Sequence, residues 1–227
     1  MKITKVTARN IMFTEPMVWN GQSINLNLGL ILGNKRNYII DTGLGSGSIE
    51  PILKYIANDY KPIVVINTHH DFDHIWGNWV FKNSLIIAHK ICADLQKNDW
   101  DNGIRRHSEL ANGEVRKCMP NIVFEKSMYF PDDGIEIFHS PGHTAGCISI
   151  YDTIDKVLHV GDNIGDSDEE LVPHIDTDIT IFKRLIEVYK QYNFNFCLSG
   201  HHEPQKKEVL TRMEKALPEA WKKQKNG

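Results

Sequence analysis

The stretch THHDFDH, Thr68 to His74, sets three imidazoles and two carboxylates within six consecutive positions after Thr68. It ends the run PIVVIN (62–67), which is short, continuous and apolar and so reads as a buried strand. A loop leaving a buried strand can aim several side chains at one point. Imidazole with carboxylate is a donor set for a metal ion or a metal pair. Taken alone, the seven residues are also compatible with an ordinary solvated loop.

Three further turns change that balance. SPGHTAG (140–146) places His143 in a Pro-Gly turn after a strand, HVGDN (159–163) places Asp162 after a strand and a glycine, and LSGHHE (198–203) places His201 after a third strand. A glycine directly precedes each ligand-type residue, and glycine lets backbone approach closely. One His after Gly is ordinary, but three such turns beside the 68–74 loop point to a common site.

With these residues the chain resembles the metallo-β-lactamase fold superfamily. The family's T-H-x-H-x-D-H loop, P-G-H-T turn, G-D turn and late G-H correspond to Thr68–His74, Pro141–Thr144, Gly161–Asp162 and Gly200–His201, and IIDTG (39–43) looks like its early Asp-Thr-Gly turn. The order agrees from about residue 20 to 203. The resemblance implies an α/β fold, a four-layer αββα sandwich of two mixed β-sheets flanked by helices, as a single domain over 1–227. It implies a dinuclear site at one edge. One metal would take His69, Asp71 and His143, the other Asp73, His74 and His201, and Asp162 would bridge them. A hydroxide shared by the two metals would be the nucleophile, with Asp73 and Asp162 as catalytic carboxylates. Asp41 and Thr68 would orient the loop rather than bind metal. His202 and His174 are the candidates to touch substrate. His70 is expected to pack or meet solvent, and His139 and His159 to be satisfied strand histidines.

Asp71 departs from the family pattern, which has His there. Three readings compete: Asp71 ligates directly, the loop slips so that His70 ligates instead, or the first metal site is damaged and the protein is mononuclear. Asp73-His74 fixes the register of so short a loop against slippage, and direct ligation is the favoured expectation. Two divalent cations balanced by two Asp and a hydroxide leave about one positive charge; a third Asp makes the core near neutral. Such a core favours iron or manganese over zinc and weakens Lewis acidity. Flavodiiron proteins of the same fold carry Glu in this slot. The leading expectation is therefore a dinuclear metal-dependent hydrolase of a small ester, thioester, lactone or phosphoester. The alternative is a non-haem di-iron protein that binds or reduces O₂ or NO, as a sensor or oxidoreductase.

Composition narrows the partners. The 227 residues are 41% hydrophobic and 24% charged with net charge −3, which gives no footprint for nucleic acid or an anionic membrane. A small-molecule substrate is expected, and a homodimer is compatible with the composition. The opening MKITKVTARN lacks an apolar h-region and no segment is long enough to span a bilayer, so the expected location is the cytoplasm, which disfavours β-lactam hydrolysis. The four Cys form no C-x-x-C and read as small buried residues.

Periodicity supplies the elements between the motifs. GLILGNKRNYIIDTG (29–43) reads as two strands around a polar turn. SIEPILKYIANDY (48–60) reads as a helix capped by Ser48, with Ile49, Ile52, Leu53, Ile56 and Tyr60 inward. LIIAH is a strand, 90–118 a helical excursion or lid with breaks at Asn102-Gly103 and Asn112-Gly113, and 121–162 is β-rich, with YDTIDKV a hairpin. Trp76 and Trp79 are expected in the core. DITIFKRLIEVYKQY and KKEVLTRMEKALPEAWKK read as amphipathic helices around the strand FCLSGHH.

Overall fold

Apolar side chains alternate along most strands of this chain, and that period of two divides them between an inter-sheet core and two outer layers. The structure, a computed structural model, describes residues 1–19 and 21–226. The first sheet contains, in spatial order, β1 (Lys2–Lys5), β2 (Asn10–Trp19), β3 (Gln22–Leu32), β4 (Asn37–Ile40), β5 (Ile63–Ile66), β6 (Leu85–His89) and β7 (Ile122–Phe124). Its pairs are antiparallel from β1 to β4 and parallel from β4 to β7. The second sheet is built from β8 (Ser127–Phe130), β9 (Ile135–His139), β10 (Ile148–Asp152), β11 (Val157–Gly161) and β12 (Phe196–Ser199), in the order β12-β11-β10-β9-β8, with only β11–β12 parallel. The helices are α1 (Ser46–Tyr55), α2 (Phe72–Ile75), α3 (Lys90–His107), α4 (Ile179–Gln191) and α5 (Val209–Asn226).

Tyr38, Ile40, Val64, Ile66 and Ile87 of the first sheet meet Ile135, Ile137, Ile148 and Ile150 of the second in one buried layer. The alternate residues Ile39, Val65 and Ile86 pack outward on Ile49 and Ile52 of α1. On the other side, Leu158 and Val160 of β11 pack on Phe182, Leu185 and Ile186 of α4 and on Leu210 and Met213 of α5. The order is helix, sheet, sheet, helix. Asp178 caps α4, its carboxylate accepting the Thr180 N–H at 2.7 Å.

Several local expectations are corrected. Helix α1 starts at Ser46, so Ser48 lies inside it and its hydroxyl accepts the Leu44 N–H at 3.1 Å; Tyr60, beyond the helix end, is 92% exposed. Helix α3 runs unbroken through Asn102-Gly103, whereas Gly113 does lie in a loop, at φ +82°. Trp76 is buried and Trp79 only half-buried. Cys92, Cys147 and Cys197 are buried and Cys118 partly so. Among the described residues no helix is long and apolar enough to cross a membrane.

Candidate metal centre

Four strand ends deliver the polar cluster. The 68–74 loop leaves β5 and turns into α2; His143 follows β9, Asp162 follows β11 and His201 follows β12. The site thus draws on both sheets. Asp162 Oδ2 sits centrally, 3.1 Å from His201 Nε2, 3.3 Å from His74 Nε2 and 3.5 Å from His69 Nε2. Asp73 Oδ2 lies 3.5 Å from His201 Nε2 and 3.6 Å from His74 Nε2. Asp71 Oδ2 lies 3.0 Å from His143 Nε2 and 3.5 Å from His69 Nε2. Two donor groups emerge, His69 with His143 and Asp162, and Asp73 with His74 and His201, each with ligand-type atoms within 4.8 Å of one another. Asp71 borders the first group.

The tautomers follow from the partners of the other ring nitrogens. His143 Nδ1 and His201 Nδ1 each lie 2.7 Å from a backbone carbonyl, of His174 and Asn25 respectively, and a carbonyl only accepts. His74 Nδ1–H donates to Asp41 Oδ2 at 2.9 Å. Thr68 donates its hydroxyl to Asp41 at 2.7 Å, so the 3.0 Å contact between His69 Nδ1 and Thr68 Oγ1 has the imidazole as donor. Every Nδ1 is spent outward and every Nε2 turns inward. His69 Nε2, His74 Nε2 and Asp162 Oδ1 are buried without a hydrogen-bond partner. Leaving such groups unsatisfied costs about 1–3 kcal/mol each. Cations among them would satisfy all three, so the residues fit bound metal.

The electrostatics agree. Burial alone would raise the Asp162 carboxyl, but His74, His201 and His69 around it hold it well below the usual carboxylate range. Burial would also raise Asp71, and His69 with His143 hold it well below. Burial pulls His69 and His74 down, yet the carboxylates, Asp162 foremost, raise both well above the ordinary imidazole value; His201 rises to about 9 for the same reason. With no cation, protons are the counter-charge, and a metal must displace them.

Glycine is required where the turns meet. A Cβ on Gly200 would stand 2.2 Å from Asp162 Oδ1 and 2.6 Å from the His74 ring. Gly161 has φ +54°, and a Cβ there would meet Thr68 at 2.7 Å.

The cluster floors a cleft of about 760 Å³ between the β2–β3 hairpin, residues 165–174 and α5. Met17, Trp19 and Ile24 form one wall and Leu171, Val172 and Pro173 another, with Asp166, Glu169, Glu170 and Glu219 also lining it. His174 lines the cleft, its carbonyl holding His143 while its ring pairs with Asp176 at 3.1 Å. His202 is not among the lining residues: its ring is buried between Gln205, at 3.0 Å, and Asp168, at 3.3 Å. His70 lies outside both donor groups, its Nδ1 3.4 Å from Asp71 Oδ1. His159 meets Asn10 Oδ1 at 3.0 Å, and His139 meets the Ala145 carbonyl at 2.9 Å. Asn163 was not singled out in the sequence. Its Oδ1 accepts the His143 N–H at 2.8 Å, and its Nδ2 donates to the Ser140 carbonyl at 2.9 Å, pinning the turn. Its place next to Asp162 was the available signal. The carbonyls of Asn25 and His174 leave no signal, since every residue has one.

Comparison with known proteins agrees with this geometry. Residues 25–215 match the family model described as the metallo-beta-lactamase superfamily. The chain is 26% identical over 214 residues to the acyl-coenzyme A thioesterase MBLAC2 of Bos taurus, covering 82% of this chain and 76% of that protein. It is 31% identical over 151 residues to a probable metallo-hydrolase of Methanocaldococcus jannaschii, covering 64% and 70%. A metallo-beta-lactamase from Pontibacter korlensis superposes with TM-score 0.76 at 19% identity over 96% of this chain and 98% of that one, a likeness of fold.

Proposed function

The chain belongs to the metallo-β-lactamase superfamily and is a metal-dependent hydrolase, and on that premise we propose that it cleaves a small thioester at a two-metal centre. The observation that carries this reading is the convergence of four inward Nε2 atoms and three carboxylates on the floor of an open cleft. The thioesterase named among the relatives, which matches over 82% of this chain, supports a thioester as the substrate. His69, Asp71 and His143 would hold one metal, Asp73, His74 and His201 the other, and Asp162 would serve both. When bound, such ions supply Lewis acidity and make a water acidic enough to act near neutral pH.

The chain's own groups do the rest. Asp41, Thr68 and the Asn25 and His174 carbonyls lock the imidazoles, so no reorganisation is needed when charge develops. Asp73, only 6% exposed, would take the proton of the attacking water at its carboxylate and return it to the departing thiolate. Met17, Trp19 and Ile24 would hold apolar substrate atoms against the site and exclude water from it. Asp71 gives the site a third carboxylate, which supports iron or manganese as occupant as well as zinc.

The test is release of free thiol from short acyl thioesters by protein loaded in turn with zinc, manganese and ferrous iron, beside ester, lactone and phosphodiester probes. Chelator-sensitive thioester cleavage is expected to exceed the others. Preferential turnover of a phosphodiester or lactone, or no turnover with any metal, overturns the thioesterase reading. Reversible O₂ or NO binding by the iron form would favour the di-iron alternative.

A further inference from the structure

Beside the metal cluster, between α2 and α3, lies a second cavity of about 210 Å³. Its walls include Trp19, Phe72, Ile75, Trp76 and Trp100. The aromatic wall is continuous: Phe72 is 5.0 Å from Trp76 and 5.6 Å from Trp19, centroid to centroid. Trp19, Asp71 and Phe72 line both this cavity and the main cleft, so a substrate whose reacting bond lies at the cluster can send one arm into it.

Two features make it more than a packing gap. Gly103, buried inside α3 about one turn from its C-terminal end, lines it. Glycine is the most helix-disfavouring residue after proline, so it needs a local reason here. A Cβ at this position would touch only Phe72, at 3.8 Å, so the space that a side chain would fill is left open. The second feature is Gln96, 1% exposed and also lining the cavity. Its Nε2 is engaged by Asn67 Oδ1 at 3.3 Å and Cys92 Sγ at 3.4 Å, which fixes the amide, while its Oε1 is buried with no hydrogen-bond partner. Aromatic walls are joined by a polar side formed by His70, Asp71, Asp99, Arg106 and His107, and two lining atoms, Gln96 Oε1 and His70 Nδ1, are buried without a hydrogen-bond partner, an arrangement complementary to a flat ring that carries a donor.

We propose that this cavity is the specificity pocket for the substrate's acyl arm, taking a single aromatic ring whose hydroxyl or amino group donates to Gln96 Oε1. The assignment rests on the thioesterase reading for the word acyl, and on the cavity alone for the ring. A cavity of about 150 Å³ suffices for benzene. The chamber is therefore large enough for one ring with a short polar tip.

Binding and turnover are tested separately. The metal-loaded protein is titrated with 4-methylphenol and with toluene, followed by tryptophan fluorescence and ligand-observed NMR. 4-Methylphenol is expected to bind about tenfold tighter than toluene, the effect of one hydrogen bond to a buried acceptor. Gly103→Leu, which fills the chamber, should weaken both by tenfold or more, and Gln96→Leu should erase the preference. Turnover is then compared for N-acetylcysteamine thioesters of 4-hydroxyphenylacetic and octanoic acids. The ring substrate should have the higher kcat/KM, and that advantage should vanish in both variants. If neither probe binds, because the chamber holds only water, or if Gln96→Leu keeps the preference for 4-methylphenol, the assignment is wrong even where thioesters are cleaved. If the probes bind as expected and no thioester is cleaved, the ring pocket stands and the thioesterase reading falls.

Discussion

His74 Nδ1 lies 2.9 Å from Asp41 Oδ2, and the Asp41 carboxylate also accepts both the N–H and the hydroxyl of Thr68 at 2.7 Å each. One buried side chain thereby orients a candidate ligand and the strand end that launches the whole 68–74 loop. Asp41 does so from φ +62°, a backbone region uncommon for residues other than glycine. Asp41→Asn keeps the shape but puts an NH₂ where one of those donors needs an acceptor. Metal affinity should fall about 10- to 100-fold, as for other residues that orient a ligand. Chelator competition measures it, and an unchanged dissociation constant would show that Asp41 serves the backbone alone.

Asp162 stands between three imidazoles. If it serves both metals, Asp162→Ala should reduce both, from about two ions per chain to below one. His201→Ala should empty mainly the second group, and His70→Ala should change little. Elemental analysis decides: full occupancy in Asp162→Ala would remove the bridge, and a loss in His70→Ala equal to that in His69→Ala would mean a shifted loop register.

Asp71, whose carboxylate lies 3.0 Å from His143 Nε2, should set metal identity. Asp71→His restores the family's common ligand type and adds about one positive charge to the core. Zinc uptake should rise relative to iron when the two compete, and generic ester hydrolysis should speed up. Equal zinc-to-iron ratios in wild type and variant would detach Asp71 from metal choice.

His159 predicts an acid-labile fold independent of the metals. Burial pushes its imidazole down to about 4, with Asp41 opposing only weakly. A histidine depressed in the fold favours folding fully above its unfolded value, near 6.5, and that contribution is lost as pH falls toward 4. Between pH 7 and 4.5 it amounts to about 2–3 kcal/mol. Urea unfolding of chelator-treated wild type and His159→Gln at both pH values should show the variant losing that much less; parallel losses would contradict the shift.

The motif-bearing strand ends were readable because each joins a short apolar run to a glycine and a ligand-type residue. The layers followed, since period-two alternation such as Tyr38, Ile39, Ile40 needs two buried faces. Strand β2 was less readable. Pro16 lies within it, and its first six residues are buried on both faces, Thr14 and Glu15 included, so no clean alternation exists. Gly103 misled because glycine usually marks a break, whereas here it leaves room inside a helix. The cavity beside it joins residues from Trp19 to His107, a juxtaposition no local pattern encodes. His202 shows the converse: adjacency to His201 in sequence does not carry its ring to the cleft.

The candidate ligands come from strand ends of both sheets, which elsewhere meet through a mainly apolar layer and a few buried polar contacts such as Asn10 with Asp152 and His159. Bound metal would therefore act as a rivet through the sandwich as well as a reagent. At a free concentration 1,000 times its dissociation constant, a ligand that binds only the folded state adds about 4 kcal/mol. That is enough to govern how long a marginally stable chain survives proteolysis. Scarcity of the right ion would then lower the amount of this protein and not merely its turnover, so that its abundance records the metal supply of the cell that makes it.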